Sequence, residues 1–119
     1  ETEEAFQKVK RDIKKAGELV HYSLALPLGV TADASARGLG AVLWHRFPGG
    51  QEKPVAYASR VLSSTEARYS AIDREALALV FAVKKFDQFL RGREFILRTD
   101  HKPLMRILSD GKEIPKIAA

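Results

Sequence analysis

The chain has 119 residues, of which 45% are hydrophobic and 29% charged, and carries a net charge of +5 and no cysteine. That length and apolar content suit one domain with an ordinary core, and the missing cysteines exclude a disulfide framework, a cysteine-ligated zinc site and a thiol nucleophile. No apolar run is long enough to cross a bilayer and no signal-peptide pattern opens the chain, so an intracellular protein without a membrane partner is expected, and the positive balance suits a polyanionic one.

Residues Thr2 to Ala16 set Ala5, Phe6, Val9, Ile13 and Ala16 on one face and Lys8, Lys10, Arg11, Lys14 and Lys15 on the other, with Gly17 as a stop. This reads as a short basic amphipathic helix, a segment of its own over residues 1–17 ahead of a domain over 18–119. His21 has no histidine or cysteine close by and reads as a loop residue. Leu28 to Asp33 looks extended, Ala34 to Gly38 has turn composition, and Gly38 to Phe47 reads as a second strand whose glycines suggest close backbone approach. Pro48 to Lys53 is a hairpin loop, from which Pro54 to Arg60 returns as a third strand. Gly38 and Gly40 open no helix, and no Gly-Lys-Ser/Thr occurs, so nucleotide-binding loops are rejected.

Ser63 with Glu66 and Ser70 with Asp73 are two candidate caps for a long helix reaching Leu90. At about 100° per residue, Ile72, Ala76, Leu79, Val83, Phe86 and Leu90 share one stripe. Leu77 and Phe81 fall outside it, which predicts packing on two sides. Glu75 lies beside the apolar stripe, where a lone carboxylate is costly, so a cation, a metal or a hydrogen-bond network is expected in front of it. Gly92 ends the helix, Arg93 to Asp100 reads as a fourth strand, and His101 to Leu108 as a short helix with Pro103 in its first turn.

A strand, a crossover helix and a second strand form a right-handed unit whose strands can lie parallel and adjacent. Pairing the strand that ends at Asp33 with the one that ends at Asp100 joins two aspartates, and the covering helix adds Glu75. Three carboxylates drawn together repel one another unless hard divalent cations relieve them, with Mg²⁺ the natural choice. Two such ions about 3.5–4 Å apart activate water and stabilise the leaving oxygen in phosphodiester cleavage.

Thr31-Ala32-Asp33-Ala34-Ser35, Gly38-Leu39-Gly40-Ala41-Val42-Leu43, Pro54-Val55-Ala56-Tyr57-Ala58-Ser59-Arg60, Tyr69-Ser70 ahead of Glu75-Ala76-Leu77-Ala78, and Arg98-Thr99-Asp100-His101-Lys102-Pro103-Leu104 stand in one order. Together they resemble the RNase H-like domain of reverse transcriptases from gypsy-type LTR retrotransposon polyproteins, over nearly everything from Phe6 to Ile117. The resemblance implies an α/β fold with a mixed sheet, three antiparallel strands followed by a parallel fourth after the crossover helix. It implies that residues 1–17 are the tail of a connection segment and that adjoining polymerase and connection domains are partners. It also implies an RNA–DNA hybrid as substrate, cut by two Mg²⁺ or Mn²⁺ ions to leave a 3′-hydroxyl and a 5′-phosphate. Asp33 would then bridge both ions, Glu75 and Asp100 would each hold one, and Ser35, Arg37 and His101 would touch substrate or support the ligands. Asp73 projects away from the core and reads as a capping residue.

The sequence reaches Ala119 before the fourth carboxylate, fifth strand and closing helix that the family adds, so an incomplete domain with weakened metal affinity is expected, with an open sheet edge through which a dimer could form. Residence in a cytoplasmic particle or the nucleus follows from the same resemblance. The alternative is a descendant of that domain which binds nucleic acid or protein without cutting.

Overall fold

The computed structural model describes residues 19–99 in full and residues 102–109 as backbone. Its elements are β1 (Leu28–Ala34), β2 (Gly38–Arg46), β3 (Glu52–Val61), a 3₁₀ turn (Glu66–Arg68), α1 (Ala71–Lys85), α2 (Asp87–Leu90), β4 (Arg93–Thr99) and β5 (Lys102–Ser109). The basic helix expected over Thr2 to Ala16 lies outside the described residues.

The strands form one sheet in the order β3-β2-β1-β4-β5. β1 to β3 are antiparallel neighbours, with Asp33 opposite Gly40 and Gly40 opposite Ser59. β4 lies parallel to β1, with Ala32 beside Thr99, so the expected three antiparallel strands and parallel fourth are present. The fifth strand corrects the expectation of a short helix at His101 to Leu108 and of an absent fifth strand. Lys102–Ser109 runs antiparallel to β4, Arg93 opposite Ser109 and Thr99 opposite Lys102. The backbone groups on the outer side of β4 need partners, and that demand overrides the helix-opening position of a proline. Pro103 lies where the register slips, between Leu97 and Arg98, a place where a missing N–H disturbs the ladder least. The edge of β4 through which a dimer was expected is therefore occupied.

Alternation along the strands separates two faces. Leu28, Val30, Leu39, Leu43, Phe95 and Leu97 turn toward the helices and join Leu79, Val83, Phe86 and Leu90 in the main core. The helical stretch breaks at Phe86 (φ −102°, ψ 19°) rather than running unbroken to Leu90, and Gly92 reverses the chain at φ 75°. Of the two caps, Ser70 starts the long helix, its hydroxyl accepting from the Asp73 N–H at 3.1 Å. Ser63 and Glu66 form a reciprocal box on the 3₁₀ turn instead, at 2.9 and 3.1 Å. Arg60 grips Glu66 from β3, and those hydrogen bonds, then the one from the Ser63 backbone, hold the Glu66 carboxyl down to about 2.

The entry segment ahead of β1 is fastened by polar contacts around one buried imidazole. His45 is fully buried; its Nε2 accepts from the Ser23 N–H at 2.9 Å and its Nδ1–H donates to the Pro27 carbonyl at 2.9 Å. Tyr22 stacks on the imidazole and donates to the Phe89 carbonyl at 2.7 Å, while Arg93 donates to the carbonyls of Ser23 and Leu26. A buried backbone group without a partner costs about 1–3 kcal/mol. His45→Leu leaves the half-buried Ser23 N–H without its partner, while the Pro27 carbonyl keeps the Arg46 N–H at 3.2 Å, and is expected to lower the unfolding free energy by about 1 kcal/mol, read as a lower urea midpoint with an unchanged slope.

Candidate active site

Chain direction fixes which functional residues share an end of the sheet. β1 finishes at Ala34, and β3 leaves the sheet at Val61, opposite Gly38, at that same end. The chain then crosses over, and β4 re-enters at Arg93 at the far end, running back parallel to β1 until Thr99 stands beside Ala32. The first turn of α1, the last residues of β1 and the end of β4 thus occupy one end of the molecule. Asp33 and Glu75 are both there, and Asp100 follows Thr99 in sequence.

Asp33 is partly buried and sits on the sheet face opposite the main core. One of its carboxylate oxygens accepts from the Ala34 N–H at 3.0 Å. Glu75 lies one turn before Ala78 and Leu79, which are buried, so it belongs to the core-facing side of α1. The helix projects past the core at this end, leaving Glu75 exposed, as Ile72 is at 77%. The stripe read from sequence therefore buries only its later members, and the expected cation or network in front of Glu75 is not found among the described residues. No group of three histidine, cysteine or acidic side chains suited to a metal occurs among them either, Asp100 and His101 lying outside. The donors available are hard carboxylate oxygens, which suit Mg²⁺ or Mn²⁺ rather than a soft metal.

Ser35 has a more structural setting than its expected substrate contact. It is buried, and its hydroxyl accepts from the N–H groups of Arg37 and Gly38 at 3.2 and 3.1 Å, which closes the turn between β1 and β2. That turn holds Arg37 exposed beside the end of β1.

Sequence reading missed a polar strap across the sheet face that carries Asp33. From β4, Arg98 reaches over β1 and β2 to Glu52 on β3, at 2.6 and 3.3 Å, and Arg46 holds the same carboxylate at 2.8 Å. The Arg98 guanidinium rests 4.4 Å above the Trp44 ring, and the indole N–H donates to Thr31 Oγ1 at 2.8 Å. Trp44 in turn lies over Gly29, where a Cβ would overlap the indole. Alternation placed Arg98, Trp44 and Thr31 on one face, but their meeting depends on strand order. Burial pushes the Glu52 carboxyl up; hydrogen bonds from Arg98 and then Arg46, together with their charges, outweigh it and hold the carboxyl below its ordinary value. A depressed carboxyl stabilises above its unfolded value, and that contribution is lost as pH falls through the folded value. Glu52→Gln is expected to cost about 2 kcal/mol at neutral pH. Urea titrations in the acid range, below about pH 4, should bring the two midpoints together.

Residues 1–97 match the family described as the RNase H-like domain found in reverse transcriptase. The chain is 40% identical over 101 residues to the retrovirus-related Pol polyprotein from transposon 297 of Drosophila melanogaster, covering 85% of this chain and 9% of that protein. It is 37% identical over 116 residues to the Pol polyprotein from transposon gypsy of the same fly, covering 95% and 11%. The chain therefore spans about a tenth of these curated relatives. Among solved structures, foamy viral protease-reverse transcriptase in complex with double-stranded DNA superposes with a TM-score of 0.58 at 26% identity, over 78% of this chain and 19% of that one. The same viral protein in complex with an RNA/DNA hybrid gives 0.56 at 25% identity, over 78% and 12%. The sequence match and the shared sheet agree: this chain belongs to the RNase H-like domain family of reverse transcriptases.

Proposed function

We propose that the chain is the ribonuclease H portion of a retrotransposon reverse transcriptase, hydrolysing the RNA strand of an RNA–DNA hybrid with divalent ions held by Asp33, Glu75 and Asp100. The observation that carries this reading is the parallel pairing of Ala32 with Thr99, which ends β1 and β4 at one level, at the end of the sheet where α1 begins. Asp33 contributes a carboxylate anchored through the Ala34 N–H, and Glu75 contributes one from a helix turn open to solvent. Two bound ions, Mg²⁺ or Mn²⁺, would supply activation of the attacking water and charge stabilisation for the departing 3′-oxygen. The water oxygen forms the new bond to phosphorus while the bond to the 3′-oxygen breaks, leaving a 5′-phosphate and a 3′-hydroxyl. Arg37, exposed on the turn that Ser35 closes, is suited to a backbone phosphate of the hybrid, and His101 to support of the scissile region.

The relatives are polyproteins and the structural neighbour carries a polymerase, which supports adjoining polymerase and connection domains as partners. A cytoplasmic particle or the nucleus is the corresponding place of action.

Cleavage of a labelled hybrid in Mn²⁺ tests the reading. Asp33→Asn is expected to reduce cutting at least about 100-fold, the scale of losing a principal electrostatic group, without changing the circular dichroism spectrum or hybrid binding at low salt. A wild-type chain that binds hybrid in a salt-sensitive way but cuts none, with binding indifferent to Glu75→Gln, would overturn hydrolysis and leave a binding module.

A further inference from the structure

One face of α1 is only partly covered by the core: Leu77 and Phe81 pack against its edge and Val80 stays open. Ala78, Leu79, Ala82 and Val83 are buried against the sheet, and at about 100° per residue the residues pointing furthest from them are Asp73, Leu77, Val80 and Lys84. Val80 is 40% exposed, Leu77 and Phe81 are half-buried, and Asp73 and Lys84 are exposed. Leu77, Val80 and Phe81 floor a groove of about 340 Å³ bordered by Lys84, Lys85 and Arg60. Arg60 is committed to Glu66 and lies 5.7 Å over the Phe81 ring, so it is not a free cation. The side chains of Asp73, Lys84 and Lys85 make no ion pair among the described residues.

The order of residues on this stripe decides its partner. Asp73, Leu77, Val80 and Lys84 are spaced by four, three and four positions, the spacing of an antiparallel helix seam, and the series reads acid, apolar, apolar, base. A two-fold axis between residues 78 and 79 maps the series onto itself. We propose that this face of α1 binds the same face of a second copy of the chain, the two helices antiparallel. Asp73 then meets Lys84 of the other copy, Leu77 meets Val80, and the small Ala76 leaves room for Phe81. A foreign helix could supply apolar contact, but the self-complementary order of charges is specific to an isologous pair. The opposed helix dipoles add to it. The seam is roughly 16 Å long at 1.5 Å per residue, shorter than a standard interface requires, so association is concentration-dependent.

Sedimentation equilibrium on the full chain tests this. Between about 10 µM and 1 mM the weight-average mass of the wild type is expected to climb toward twice the monomer value. Asp73→Lys alone sets lysine against lysine, and Lys84→Asp alone sets aspartate against aspartate, so each stays monomeric. An equimolar mixture of the two places opposite charges at both ends of the seam and regains the dimer, which also demonstrates that both variants fold. A wild type that remains monomeric throughout overturns the proposal and assigns the stripe to another segment of a longer polypeptide. Dimerisation indifferent to both reversals overturns it in favour of another surface.

Discussion

β1 is the constraint on which the other elements depend. It is the central strand, joining the antiparallel meander on one side to β4 on the other, and its parallel pairing with β4 requires a crossover over the sheet. A right-handed crossover puts α1 on one face and directs its first turn to the end where β1 and β4 finish. The end that carries Asp33 and Glu75 is a consequence of that connection. It would arise with any helix of sufficient apolar character, and the acidic residues exploit a position the topology already provides.

The two faces of the sheet solve different problems. The helix side is an apolar core in which Leu28, Val30, Leu43, Phe95 and Leu97 leave almost no exposed surface. The other side keeps its order with a charged strap. Arg98 lies over Trp44 and its charge is matched by Glu52, so each partner limits the desolvation cost of the next. Because Arg98 spans from β4 to β3, the strap is satisfied in one register of four strands. A slip of one residue would turn Arg98 into the helix-side core. The strap therefore contributes to specificity of alignment, on the same face as Asp33, more than a count of its ion pairs suggests.

α1 combines three roles that follow from helical period. Its middle and last turns bury small and branched residues against β1 and β2. Its first turn overhangs the core, which makes Glu75 accessible to solvent and to ions. Its outer face carries a second apolar strip bounded by opposite charges. Leu77 and Phe81, which looked misplaced against a single stripe in the sequence, belong to that strip.

Local chemistry in the sequence determined the three meander strands, the two candidate caps at Ser63 and Ser70, the turn at Gly92 and the candidate acids, since alternation, helical period and capping act between near neighbours. It also carried the family, because the ordered motifs from Thr31 to Leu104 are local as well. Tertiary structure alone decided which serine starts the long helix, the break at Phe86 and the strand at Lys102–Ser109, because each depends on which backbone groups are left unpaired after the sheet forms. It likewise decided that Glu75 is exposed rather than enclosed. Helical period gives the direction of a side chain, and only the length of the sheet beneath it determines whether anything lies there to cover it.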